Sequence, residues 1–68
     1  MNFCERITEL KNQKKLLQKD IAKAINISTR QFLRYEKGEQ QPTLPVLLAL
    51  AEFFNVSVDY LVGRVDEE

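Results

Sequence analysis

The segment that decides the fold is LQKDIAKAINISTRQFLRYEKG, residues 17–38. Its apolar side chains recur at helical spacing in two short stripes, Ile21, Ala22 and Ile25 and then Phe32 and Tyr35. Between the stripes, Asn26 tolerates the left-handed conformation that a sharp turn needs, and Ser28 is a good N-cap. Gly38 closes the second stripe as a C-cap. The segment therefore predicts two short helices that cross at a steep angle, with Ala22 allowing their close approach.

The second of these helices has a polar outer face. If Phe32 and Tyr35 point inward, four polar side chains stay outside: Thr29, Arg30, Gln31 and Arg34. A protruding helix with such a face fits the major groove of DNA. The alternative is that the two arginines are only solvated side chains on an exposed helix.

Helical spacing continues on both sides of the segment. Before it, one apolar stripe contains Phe3, Ile7 and Leu10. After it, two further helices are bounded by Thr43, Asn55, Ser57 and Gly63. We predict an all-α fold, a compact bundle of about five short helices that contains a helix-turn-helix. The domain spans 1–63, and 64–68 form a C-terminal tail.

The formal net charge of +0 hides an asymmetry along the chain. Residues 1–40 hold nine Lys/Arg and five Asp/Glu, whereas residues 41–68 hold one Lys/Arg and five Asp/Glu. A basic half suits phosphate binding, and the acidic half could face away from DNA. Taken alone, this distribution is equally compatible with ordinary solvation.

The composition excludes several function classes. Cys4 is the only cysteine and there is no His, so we expect no disulfide, no common metal site and no His-based acid/base chemistry. We expect no enzyme activity, no cofactor and no small-molecule effector. The longest apolar run, Val46–Ala51, is too short to span a membrane, and the N-terminus lacks signal-peptide features. A cytoplasmic protein is expected.

The order of motifs resembles the Cro/phage-repressor helix-turn-helix family, also called XRE-like. Residues 17–38 carry the resemblance together with Pro42-Thr43-Leu44, Leu50-Ala51-Glu52 and Asn55–Gly63, so it covers roughly residues 3–63. It implies a lambda-repressor-like fold, a bacterial or phage origin, and sequence-specific binding of double-stranded DNA by a transcriptional regulator, usually a repressor. Two positions depart from the family pattern: Asn26 replaces the usual Gly, and Leu17 replaces the usual Ser or Thr cap.

The resemblance also assigns roles to residues. The first, second and sixth positions of the recognition helix read bases in the family, and here they are Thr29, Arg30 and Arg34. Arg can bond guanine with two parallel hydrogen bonds, and Thr can touch a thymine methyl group. Gln31 is a further candidate for base contact. The candidate phosphate contacts, each of which could also be ordinary surface, are Gln18, Lys19, Lys37 and Gln40.

Two features of the sequence leave alternatives open. Leu33 lies on the recognition helix, where it could pack under the following loop or touch DNA sugars. The fourth helix carries a second apolar stripe, which predicts a homodimer on a palindromic operator unless the core covers both stripes. The candidate interface residues are Val46, Ala49, Phe53, Val56 and Val62.

A protein-interaction module on a helix-turn-helix scaffold is the alternative function, because such folds can lose DNA binding and keep the scaffold. The polar recognition face argues against it, since no acid precedes Glu36 there.

Overall fold

The computed structural model describes residues 1–66 and contains five α-helices there, with no β-strand. They are α1 Phe3–Gln13, α2 Gln18–Ala24, α3 Thr29–Glu36, α4 Leu44–Phe54 and α5 Val58–Leu61. The predicted all-α bundle is confirmed. The last two residues of the tail predicted at 64–68 lie outside the described residues. No helix in the described part is long and apolar enough to cross a membrane.

Side-chain caps start four of the five helices. The predicted caps Ser28, Thr43 and Ser57 each accept a hydrogen bond from the backbone N–H three residues later. At the start of α1, the Asn2 side chain accepts from the Glu5 N–H while the Glu5 carboxylate accepts from the Asn2 N–H. Leu17, at the start of α2, offers no side-chain cap, as predicted.

Every helix is followed by a residue with a positive φ. These residues are Lys15 (φ 54°), Asn26 (63°), Gly38 (73°), Asn55 (57°) and Gly63 (85°). Glycine and asparagine adopt this conformation readily, whereas lysine is strained in it. Gly63 has a second constraint, because a Cβ there would overlap the Met1 carbonyl group. The turn at Asn26 therefore has the predicted conformation, and the turn at Lys15 has it without a sequence signal.

The core lies where the apolar faces of all five helices meet. Its largest fully buried side chains are Ile7, Leu10, Ile21, Phe32, Tyr35, Leu50 and Leu61. The predicted stripes on α1, α2 and α3 all contribute to it. Burial of these side chains supplies most of the driving force for folding.

Arg6, one of the nine Lys/Arg in residues 1–40, is buried and adds nothing to the surface charge of that half. Only 4% of it is exposed, and its guanidinium lies over the Tyr60 ring, 3.8 Å from the ring centroid. Its Nε donates to the Tyr60 carbonyl at 3.0 Å, and Nη2 donates to the Val65 carbonyl at 3.3 Å. Arg6 thus holds the C-terminal segment against α1 and cannot contact a ligand.

Candidate nucleic-acid interface

The turn between α2 and α3 sets the position of the candidate recognition helix. Asn26 adopts the left-handed conformation, and the Ile27 N–H then donates to the Ala22 carbonyl at 2.9 Å. Ala22 is only 1% exposed, and the half-buried Ile27 packs against the core. Because Ala22 has a small side chain, α3 can pack closely on α2, as predicted.

The inner face of α3 is anchored by two aromatic side chains. Phe32 and Tyr35 are both 0% exposed, and the Phe3 ring meets the Tyr35 ring edge-on with centroids 6.3 Å apart. These two residues therefore belong to the core, and they are not available for stacking on bases.

The outer face of α3 carries the polar residues that the sequence predicts. Thr29, Arg30 and Arg34 are all exposed, and no side-chain hydrogen bond or ion pair engages the two arginines within the described residues. Both guanidinium groups can therefore turn toward a ligand. Gln31 differs from them, because it is half-buried and its Nε2 donates to the Tyr35 hydroxyl at 2.9 Å.

A polar cluster around Glu36 joins α1, α2 and α3. The Glu36 carboxylate pairs with Lys11 Nζ at 2.9 Å and accepts from Thr8 Oγ1 at 3.1 Å. It also accepts from Gln18 Nε2 at 2.8 Å. The side chains of Lys11 and Glu36 are 16% and 8% exposed, so this ion pair is largely shielded from water.

The Glu36 cluster was missed by the sequence reasoning. Its members come from three helices, and only the packing of those helices brings them together. The cluster fixes one N–H of the Gln18 amide, which leaves the rest of that half-buried amide for a phosphate. Lys11, like Arg6, is therefore engaged inside the protein and is not a free basic side chain at the surface.

The remaining candidate phosphate contacts lie at the surface. Lys19, Lys37 and Gln40 are exposed. Lys37 and Gln40 flank the Gly38 turn at the end of α3, and Lys19 lies in the first turn of α2, next to Gln18. The structure thus brings these side chains to the two ends of the helix-turn-helix.

The apolar residues predicted to form a dimer interface are exposed to different degrees. Phe53 is 37% exposed, whereas Val46, Ala49, Val56 and Val62 are half-buried. Val46 and Val56 also pack against the core. On the same helix, Leu44 and Leu48 are more exposed than Phe53, at 63% and 49%, but they do not belong to the predicted interface stripe.

Comparison with known proteins identifies relatives of this arrangement. A sequence profile of the helix-turn-helix family (HTH_3) matches residues 7–61. The cryptic phage CTXphi transcriptional repressor RstR of Vibrio cholerae is 35% identical over 97% of this chain and 63% of its own. Relatives named as transcriptional regulators and repressors, and not as enzymes, support the expectation of a non-enzymatic protein.

Two solved structures are similar along almost the whole chain. A transcriptional regulator from Listeria innocua has a TM-score of 0.87 and 38% identity, over 97% of this chain and 62% of that one. The P22 c2 repressor, solved in complex with a synthetic operator, has a TM-score of 0.87 and 28% identity, over 93% and 96%. The chain spans 58%, 50% and 63% of the lengths of three curated relatives.

Proposed function

Because the chain belongs to the helix-turn-helix family, we propose that it binds double-stranded DNA sequence-specifically through the major groove as part of a transcriptional regulator. One observation carries this proposal: Thr29, Arg30 and Arg34 are exposed on a helix whose opposite face is fixed in the core. A rigid helix with free polar side chains suits the reading of base edges. The P22 c2 repressor, solved with an operator, supports it.

In this proposal the two arginines recognise guanines. Arg30 and Arg34 lie four residues apart, so they project from the same side of α3. Each guanidinium can donate two parallel hydrogen bonds to guanine O6 and N7, and Thr29 can place its methyl group against a thymine. Gln31 can join them with its amide oxygen and second N–H, because only one N–H of its amide is bonded to the Tyr35 hydroxyl.

Contacts to phosphates hold α3 in register. Lys19, Lys37 and Gln40 are exposed for this role, and Glu36 orients the Gln18 amide. Such contacts carry no sequence information but make the affinity fall as salt rises. Two of the nine Lys/Arg in residues 1–40, Arg6 and Lys11, do not contact phosphates in this proposal, because both are engaged inside the protein.

We further propose that residues 1–63 are the DNA-binding domain and that two copies bind a palindromic operator as a repressor. A single small module makes few base contacts, so a second copy raises affinity. The proposed contact between copies is the predicted apolar set, of which Phe53 is the most exposed member: Val46, Ala49, Phe53, Val56 and Val62. RstR, named as a repressor, supports this direction of control. Because the proposed action is on DNA and relatives are bacterial or phage proteins, we propose a cytoplasmic protein of bacterial or phage origin.

The test is selection of bound duplexes from a random DNA pool at moderate salt, followed by sequencing. We expect enrichment of two inverted half-sites spaced about one helical turn apart. Enrichment of a single half-site would support specific DNA binding but would contradict binding as a dimer. No enrichment, with binding that fades as salt rises, would favour a protein-interaction module.

A further inference from the structure

Leu33 is an apolar residue in the middle of the polar outer face of α3. It follows Thr29 by four residues and Arg30 by three, and it precedes Lys37 by four. Residues at these spacings are neighbours on a helix surface, and all three of these neighbours are exposed. Leu33 therefore faces the same way as the proposed base-reading residues.

Leu33 belongs neither to the buried core nor to the groove that follows α3. Leu33 is half-buried, yet within residues 1–66 it is not among the partly buried apolar residues that pack against the core. It also does not line the groove beneath the loop after α3, whose walls include Tyr35, Gly38 and Pro42. Packing under that loop, one alternative from the sequence, stays a prediction.

We propose that Leu33 is a specificity-determining residue that contacts the 5-methyl group of a thymine in each half-site. This inference rests on the proposed function and adds an apolar contact to it. A leucine side chain has no hydrogen-bond donor or acceptor, so the thymine methyl group is the base-edge feature of the major groove that it can recognise. Arg30 and Arg34 on one side and Thr29 on the other bring bases within reach of Leu33.

Replacing thymine by deoxyuracil tests this contact, because it removes one methyl group and leaves the base pair intact. The probe is the duplex enriched from the random pool, with each thymine replaced singly, and affinity is measured by fluorescence anisotropy. At one thymine per half-site, the replacement should weaken wild-type binding about fourfold, the effect of losing one buried methyl group. Leu33→Ala should abolish that penalty while the other thymines keep theirs.

Two control variants separate Leu33 from its surroundings. Thr29→Ser removes the methyl group of the other candidate thymine contact and should leave the Leu33-dependent penalty in place. Leu44→Ala removes an equally large side chain from α4, where Leu44 is 63% exposed, and should change no penalty. Leu33→Met keeps an apolar side chain and should keep most of the penalty, which guards against a folding defect in Leu33→Ala.

Equal deoxyuracil penalties in the wild type and Leu33→Ala at every thymine would overturn the inference, and a contact to DNA sugars would give that result. It would leave the proposed function standing, because the duplex would still be bound specifically. If the wild type enriches no duplex, the proposed function fails, and this inference fails with it.

Discussion

The two faces of α3 are built for opposite purposes. On the inner face, Phe32 and Tyr35 are completely buried, and Glu36 is bonded to three side chains from α1 and α2. On the outer face, Arg30 and Arg34 are exposed and engage no side chain within the described part of the protein. The difference between the faces predicts that stability and the proposed DNA recognition can be changed separately within one eight-residue helix.

The largest expected effect comes from the inner face. Phe32→Ala should lower the free energy of unfolding by about 3–5 kcal/mol, because it removes a fully buried ring and leaves a cavity. Chemical denaturation measures this loss. Leu48→Ala is the matched control, since Leu48 is 49% exposed and its loss should change stability by no more than about 0.5 kcal/mol. Similar losses in both variants would contradict the assignment of the core.

Glu36→Ala should lower the free energy of unfolding by about 2–3 kcal/mol, because it leaves Lys11 and the Gln18 amide without their shielded acceptor. Glu39→Ala is its control, since Glu39 is exposed and has no side-chain partner in residues 1–66. Denaturation curves of the two variants measure the difference. A Glu36→Ala protein as stable as Glu39→Ala would show that the cluster contributes nothing to stability.

The outer face should show the opposite behaviour. Arg30→Ala and Arg34→Ala should each weaken binding to the selected duplex by about 1–3 kcal/mol, while stability stays within about 0.5 kcal/mol of the wild type. Anisotropy titrations and thermal melts on the same samples measure both quantities. If either variant unfolds the protein, the outer face has been assigned to the wrong residues.

The smallest effect on stability is expected at the N-cap of α3. Ser28→Ala should lower the free energy of unfolding by about 1 kcal/mol, because the Gln31 N–H loses the hydroxyl that caps it at 3.0 Å. Ser28→Thr keeps a capping hydroxyl and should recover most of the loss. Thermal denaturation compares the two variants, and equal melting temperatures would argue against a capping role.

Much of the fold could be predicted because its signals are local. Helical spacing of apolar residues predicts the buried faces of α1, α2 and α3, and the caps Ser28, Thr43 and Ser57 act on N–H groups three residues away. The left-handed turn at Asn26 follows from the intrinsic preference of asparagine.

The features that the sequence did not predict depend on contacts between distant segments. Arg6 donates to a carbonyl group 54 residues away, and a backbone acceptor leaves no pattern in the side-chain sequence. Glu36 meets Gln18 across 18 residues only because α2 and α3 cross closely. The left-handed Lys15 is a different case: it closes the end of α1 locally, where the Leu16 N–H donates to the Lys11 carbonyl at 3.0 Å, although lysine has no preference for this conformation.

The most direct test measures the affinities of two proteins, the wild type and Arg30→Ala. Each is measured for the selected duplex and for duplexes in which one base pair at a time is changed. The wild type should lose about 1–3 kcal/mol at each contacted base pair. Arg30→Ala should lose discrimination at one base pair, keep it at the others and melt at the wild-type temperature. An Arg30→Ala protein that discriminates among all the duplexes as the wild type does would contradict the central claim that the outer face of α3 reads DNA.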